Sequence, residues 1–195
     1  MIISPKKDTI HGDSLKMLGG VLWEDEADTE KLIEKIIGEP FYELFQVSNL
    51  LIINIGEKIK FSFHIACFVR IIDKSKILLT SSDEFFDSKG DELESIESLH
   101  ERVDNPNSLL SANIKKVNAL LRGKKVKSIT QSQYGDFDLC LDDDITIQII
   151  IDCRPRRYEC YRLIEYVPYY DMQRSDNSKH LVAYCNSGEM DFRLE

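Results

Sequence analysis

The chain has 195 residues, of which 43% are hydrophobic and 30% charged, and its formal net charge is −9. This length fits one domain, or two small ones, with a core that needs no disulfide or metal staples. The negative charge argues against nucleic acid as the main partner, because such affinity is built from Lys and Arg that neutralise phosphates, and no apolar run is long enough to span a membrane.

The first half of the chain is predicted to begin with a helix and to continue as strands. Residues 28–38 start with Asp28 as a cap and end at Gly38, which is typical of a short helix. Its apolar stripe consists of Leu32, Ile33, Ile36 and Ile37. The segments that follow are rich in β-branched and aromatic residues, and we expect consecutive antiparallel strands. They span 41–48, 49–56, 60–72 and 76–82.

The second half repeats this plan after an acidic segment. Residues 88–107 contain few large apolar side chains, which is typical of a mobile loop or a loosely docked segment. A helix is predicted from Ser108 to residue 122, followed by Gly123. Its apolar positions are Leu110, Ile114, Val117 and Leu121. Further strands are predicted at 125–133, 135–141, 145–151, 158–166 and 180–185.

These elements predict an α+β fold made mostly of antiparallel sheet. Two related halves, each a helix followed by a meander of strands, supply the sheet, and the two main helices pack on it. We expect a single domain over residues 1–195, with sub-halves 1–87 and 108–195 joined by the acidic segment 88–107. Whether the halves form one sheet or two stays open at this stage.

The cysteines indicate a reducing compartment. There are five, an odd number without a C-x-x-C pair, and several lie in apolar strand-like runs where a thiol behaves as a small hydrophobe. The first residues contain no apolar stretch of the kind that a secretory signal requires. We therefore expect a cytoplasmic protein.

The stretch 135–151 contains the strongest candidate for a functional site. Three aspartates stand between two alternating strand segments, where Asp is favoured because its carboxylate bonds nearby backbone N–H groups. A hairpin turn is the prediction, since the spaced pattern of a calcium loop is absent. The other interpretation is an acidic strip that faces a basic partner. It comprises Asp136, Asp138, Asp142, Asp143 and Asp144.

No catalytic motif accompanies these acids. The sequence contains no G-x-S-x-G elbow, no Gly-rich phosphate loop and no H-E-x-x-H. An exposed turn also lacks the burial that would raise a carboxyl pKa for acid–base catalysis. His64 and Cys67 are three residues apart on a predicted strand and so face opposite sides, which disfavours a shared metal. We expect a non-enzymatic protein without catalytic residues, cofactor or metal.

Three stretches resemble a group of small bacterial proteins. FSFHIACFVRIIDKSKILLTSSDEFFD (61–87) is similar to their A-L-H-x-x-C-P-W-R-I strand and I-L-x-G-S-x-D turn. Residues 135–166 resemble a G-D-L-x-L-x-F-x-N-G-x-x-L hairpin that leads to E-x-W-R-L, and KHLVAYCNSGEM (179–190) resembles H-x-V-V-x-G-x-G. Members are mostly uncharacterised cytosolic proteins. Some resemble immunity proteins that neutralise a co-encoded toxin in contact-dependent growth inhibition.

The chain matches this group at some positions and departs from it at others. The matches are Glu159, Arg162, Leu163 and His180. The departures are Phe68-Val69 for Pro-Trp, Asp143-Asp144 for Asn-Gly, Tyr161 for Trp, and Ser187-Gly188, which keeps part of the glycine pattern. An aromatic residue at 161 in either case implies a packing role, and no catalytic residue is implied.

The resemblance and the charge together imply an immunity protein that occludes the active site of a toxin such as a nuclease. The expected partner-binding residues are Asp136, Asp138, Asp142, Asp143, Asp144, Tyr169 and Tyr170, with Phe86 as a further anchor. Neither nucleic acid nor a membrane is expected as a partner, and the oligomeric state is open. Two alternatives remain: a small enzyme or divalent-ion-dependent protein that uses the Asp136–Asp144 edge, and a structural or oligomerisation module.

Overall fold

The computed structural model describes residues 31–93, 105–132, 134–152, 158–166, 179–186 and 189–194. These residues form two antiparallel sheets and one long helix, so the predicted α+β fold is confirmed. The strands of the first half are β1 (Phe41–Val47), β2 (Leu50–Ile55), β3 (Phe61–Ile65), β4 (Phe68–Asp73) and β5 (Lys76–Thr80). Those of the second half are β6 (Val126–Gln131), β7 (Phe137–Leu141), β8 (Ile145–Ile150), β9 (Tyr158–Glu165), β10 (Lys179–Asn186) and β11 (Glu189–Leu194).

Each half contributes a meander to one sheet and then crosses to the other. The six-stranded sheet has the order β1-β2-β3-β9-β10-β11, and the five-stranded sheet has the order β5-β4-β8-β7-β6. Thus β1 to β3 are extended by strands of the second half, while β6 to β8 are extended by strands of the first. The predicted pair of related helix-plus-meander halves is present, and their strands form two sheets.

The two halves meet through reciprocal backbone hydrogen bonds. Gly38 N–H donates to the carbonyl of Val126 at 2.7 Å, and Gly123 N–H donates to the carbonyl of Phe41 at 2.9 Å. Both glycines have positive φ, +90° and +83°, which a glycine adopts without strain where a helix ends. The start of β1 is thereby held against the start of β6.

The long helix, α1 (Leu109–Leu121), lies where the sequence predicts it. Ser108 Oγ accepts the N–H of Ser111 at 3.1 Å and caps the first turn. Asn118 extends from the helix to β1, where it accepts the N–H of Leu44 and donates to its carbonyl, both at 2.7 Å. The helix therefore supplies hydrogen bonds that an edge strand otherwise lacks. Within the described residues, no helix has the length and apolar character to cross a membrane.

The first predicted helix ends earlier than expected. Residues 31–34 are helical and 35–38 form turns, while 28–30 lie outside the described residues. Leu32 and Ile36 are fully buried, but Ile37 is 46% exposed, so the predicted four-residue stripe is wrong at that position. The reason is that Ile37 lies in the turns after the helix, where its N–H donates to the carbonyl of Glu34 at 3.1 Å, so it does not continue the helical face.

The core lies between the two sheets and includes a cluster of three aromatic rings. Phe137 of the five-stranded sheet contacts Phe63 and Tyr161 of the six-stranded sheet edge-on, at centroid distances of 5.8 and 5.3 Å. The Tyr161 hydroxyl donates to the carbonyl of Gly135 at 2.9 Å. Burial raises the pKa of the Tyr161 phenol well above its ordinary value. Tyr161 thus has the packing role that the sequence implies.

The predicted single strand over 60–72 is wrong, because it consists of two strands in different sheets. The N–H groups of Ala66 and Cys67 both donate to the carbonyl of Cys160, at 2.8 and 3.1 Å, and the chain crosses between the sheets there. The alternation of apolar residues continues through the break because β3 and β4 face the same core. β11 is a further strand that the sequence prediction lacks.

Candidate functional site

The two crossings between the sheets meet at one end of the molecule. The first crossing, residues 66–67, leads from β3 into β4, and the second begins at residue 151 after β8. Phe68 at the start of β4 pairs with Ile150 at the end of β8. Both side chains are half-buried and alternate with fully buried neighbours, so they lie on the outer face of the five-stranded sheet. We call this region the crossover end.

Two concavities flank the Phe68–Ile150 pair. The first, the sheet-face depression, has a volume of about 320 Å³ and includes Ile150 in its wall. Its polar lining residues are Thr130, Gln131, Ser132, Asp136, Asp138 and Gln148. The second, the crossover groove, has a volume of about 220 Å³ and includes Phe68. Its other lining residues include Gln46, Asn49, Glu84, Phe85 and Asp152.

The charges in these concavities have one sign. Asp136 and Asp138 line the sheet-face depression, and Glu84 and Asp152 line the crossover groove. Among the described residues that line either concavity, none is Lys, Arg or His. Four carboxylates flank the apolar pair and Arg70 lies on the same outer face, so carboxylates outnumber cations there among the described residues, which favours cationic groups of a partner.

A row of polar side chains crosses the sheet beside the depression. Gln148 Nε2 donates to Asp138 Oδ1 at 2.9 Å, while Arg70 Nε and Nη2 donate to Gln148 Oε1 at 2.9 and 2.7 Å. The three residues occupy paired positions on β7, β8 and β4, so their contacts follow from the strand register. The row holds the Asp138 carboxylate in a defined orientation on the outer face.

Asp136 fixes the loop that ends the β6–β7 hairpin. Its Oδ1 accepts the N–H of Ile151 at 2.8 Å, and its Oδ2 accepts the Ser132 hydroxyl at 3.1 Å. Tyr134 lies in this loop and is 66% exposed, the largest exposure of any large apolar side chain in the described residues. The loop therefore presents an aromatic ring next to the acidic depression.

The three aspartates form a hairpin turn, as the sequence predicts. Asp143 and Asp144 both have φ of 62°, a left-handed conformation that Asp tolerates. Asp142 Oδ2 accepts the N–H of Lys125 at 2.9 Å, and Lys124 Nζ forms an ion pair with Asp143. The hydrogen bond from Lys124 lowers the pKa of Asp143. Lysines thus offset part of the charge of this turn.

The predicted acidic strip divides into two separate groups. Asp136 precedes β7 and Asp142 follows it, which separates them by about 20 Å at about 3.4 Å per residue. Asp136 and Asp138 belong to the crossover end, whereas the turn lies at the opposite end of β7. In the part of the chain that the structure describes, no group of three or more His, Cys, Asp or Glu is placed to hold a metal ion.

The remaining predicted anchors have different outcomes. Tyr169 and Tyr170 lie outside the described residues. Phe86 is half-buried, and the neighbouring Phe85 is instead the exposed ring at 40%. The sequence analysis did not single out Glu84, Phe85, Tyr134 or Asp152. The dipeptide Phe85-Phe86 follows two acidic residues, which indicates that one of the two rings is exposed. Which ring is exposed depends on the 3₁₀ turn Ser81–Phe85, which the sequence alone does not predict.

The comparisons with known proteins found no match to this chain. No protein-family model, no curated protein and no solved structure matches the chain. The likeness of residues 61–87 and 135–190 to small bacterial proteins that include immunity proteins stays a prediction from the sequence motifs.

Proposed function

We propose that this chain is a cytoplasmic bacterial immunity protein that binds a cognate toxin and occludes its active site or substrate path. The observation that carries the proposal is the composition of the crossover end. An apolar pair, Phe68 and Ile150, lies between two concavities whose charged lining residues are carboxylates. Apolar centres with polar rims are common in protein interfaces. The complementary partner surface has basic groups around an apolar contact.

The negative charge supports fast association with such a partner. With a net charge of −9, the chain attracts a basic protein over a distance, and the association rate falls as salt increases. A nuclease toxin binds phosphates in a basic cleft. In the proposed complex the carboxylates of Asp136, Asp138 and Asp152 take the place of those phosphates, so inhibition needs no chemical step, cofactor or metal.

Exposed aromatic side chains and a fixed polar surface support slow dissociation. Tyr134 and Phe85 are 66% and 40% exposed, and aromatic residues dominate the binding energy of many interfaces. The hydrogen-bonded row through Asp138 and Gln148 is already ordered, so few side chains lose freedom on binding. An interface of standard size covers about 800 Å² of each partner. It would extend from the crossover end over the neighbouring sheet face.

The test uses the gene that lies immediately upstream of this one in the source genome. Its product is expressed from an inducible promoter in a bacterial host, with and without this chain, and growth is recorded. We expect growth arrest and its relief by the wild-type chain. We also expect Asp152→Lys to raise the dissociation constant roughly tenfold, because an attraction becomes a repulsion at the interface. Calorimetry on the purified pair measures this change.

The matched control is Glu57→Lys. Glu57 is an exposed carboxylate in the turn between β2 and β3, so its reversal changes the net charge equally but lies at the far end of β3 from the crossing. The dissociation constant should change less than about twofold, by long-range charge alone. Failure of the wild-type chain to relieve arrest would refute the immunity function. Equal weakening by both variants would remove the crossover end from the interface.

A further inference from the structure

The crossover groove has the size of one side chain. Its volume of about 220 Å³ is below the range of pockets that hold drug-sized ligands or cofactors, about 300–1,000 Å³. It is also open to the outside, and the exposed ring of Phe85 is part of its lining. The group that fits is therefore narrow and enters from outside the molecule, as a side chain of a partner does.

The groove exists because the chain changes sheets within two residues. β3 and β4 diverge at Ala66 and Cys67, which leaves a gap above the fully buried core. One wall of the gap is the 3₁₀ turn Ser81–Phe85. Ser81 Oγ accepts the N–H of Val69 at 3.0 Å and ties this wall to β4. The concavity is therefore built into the fold and does not depend on a bound partner.

The lining of the groove combines apolar, anionic and acceptor groups. Phe68 and Phe85 offer aromatic surface, and the side-chain oxygens of Gln46 and Asn49 are acceptors. Glu84 belongs to the 3₁₀ turn and Asp152 to the second crossing, so the carboxylates reach the groove from separate elements. The complementary occupant has an apolar stem and a cationic head with several donors.

We infer that the crossover groove receives one arginine side chain of the partner. The inference rests on the proposed function and names the anchor of that complex. A guanidinium is planar, always charged and weakly hydrated, presents five N–H donors and stacks on aromatic rings. The groove offers carboxylates, acceptor oxygens and two phenylalanine rings. A lysine ammonium is more strongly hydrated and has three donors, so it matches fewer of these groups.

The experiment needs no toxin. The full chain, labelled with ¹⁵N, is titrated with N-acetyl-arginine amide, and backbone amide shifts are followed by NMR. We expect saturable shifts at Cys67, Phe68, Phe85 and Asp152. The uncharged isostere N-acetyl-citrulline amide should bind roughly tenfold more weakly, since it keeps the shape and loses the charge. N-acetyl-lysine amide should bind roughly threefold more weakly than the arginine derivative.

Two variants and a control locate the binding. Asp152→Asn and Glu84→Gln should each weaken arginine binding roughly threefold to tenfold, whereas Glu57→Gln should leave it unchanged. Asp152 is exposed, so its substitution tests the site even if Glu84→Gln disturbs the 3₁₀ turn. Absence of saturable shifts, equal affinity for citrulline, tighter binding of lysine, or an equal effect of Glu57→Gln would each overturn the inference.

The two proposals can fail separately. If the chain relieves toxin arrest but the probe does not bind the groove, the arginine inference is lost and the immunity function stands. If Asp152→Asn abolishes probe binding without weakening the toxin complex, the groove is not the anchor of that complex. If the probe binds the groove but no toxin is neutralised, the immunity function is lost.

Discussion

Asn118 offers a direct test of how α1 stabilises the edge of the six-stranded sheet. Its side chain satisfies both backbone groups of Leu44, with two hydrogen bonds of 2.7 Å. Leu44 is 0% exposed, so Asn118→Ala leaves an N–H and a carbonyl of a buried residue without these partners. Each such group costs about 1–3 kcal/mol when it stays unsatisfied.

The expected loss is about 3 kcal/mol, because the half-exposed position of Asn118 lets water reach part of the gap. For a chain of this size the midpoint of thermal unfolding should fall by about 6–12 °C. The matched control is Asn113→Ala in the same helix, which has the same effect on helix propensity. Asn113 donates one hydrogen bond, of 2.8 Å, to the side chain of Asp83, and its loss should cost about 1 kcal/mol.

Thermal and urea unfolding of both variants measure the difference. Native-state hydrogen exchange adds a local readout, because the Leu44 amide should exchange faster in Asn118→Ala and not in Asn113→Ala. If Asn118→Ala is no less stable than Asn113→Ala, the helix does not stabilise β1 through these bonds and the reasoning is refuted.

Three further predictions concern the core and the turns. Burial holds the pKa of Tyr161 well above 10.0, so the contribution of Tyr161 to stability is full below about pH 10 and is lost as the pH rises further. Tyr161→Phe should therefore abolish that part of the pH dependence of the unfolding free energy, measured by urea unfolding. An unchanged pH dependence in the variant would contradict this. Phe137→Ala removes a fully buried ring and should cost about 3–5 kcal/mol in the same assay, whereas a loss below about 1 kcal/mol would contradict close packing. In Gly56→Ala the residue keeps a φ of +99° and its added Cβ lies 2.9 Å from Lys60 Cβ. The variant should therefore lower the thermal midpoint more than Gly38→Ala, where φ is +90° and the added Cβ has nothing within 4 Å. The reverse order of the two midpoints would contradict the clash.

The elements are predictable where burial follows the periodicity of the sequence. β8 alternates buried and half-buried residues from Ile145 to Ile150, and α1 buries Leu110, Val117 and Leu121 on one face. The break in 60–72 is not predictable from that pattern. Both strands face one core, so Ile65, Cys67 and Val69 continue the alternation while the chain changes sheets. The alternation of apolar residues indicates which face of a strand is buried, but it does not indicate which sheet the strand belongs to.

The candidate site could be predicted only in part from the sequence, for the same reason. Asp136 and Asp138 are recognisable as outward residues from the pattern of 135–141, and the length of β7 alone separates them from the aspartate turn. Glu84 and Asp152 are far apart in sequence and meet at one groove because the 3₁₀ turn Ser81–Phe85 and the second crossing both lie beside the start of β4. That meeting depends on the strand order of both sheets, which no local pattern contains.

In the proposed complex the crossover end contacts a basic protein partner. Hydrogen exchange of the chain alone and in its toxin complex locates the contact. We expect slower exchange on binding at residues 66–70, 81–86, 134–136 and 148–152, and no change in the turn at 56–60. Protection confined to other surfaces, with these segments unchanged in the complex, would contradict it.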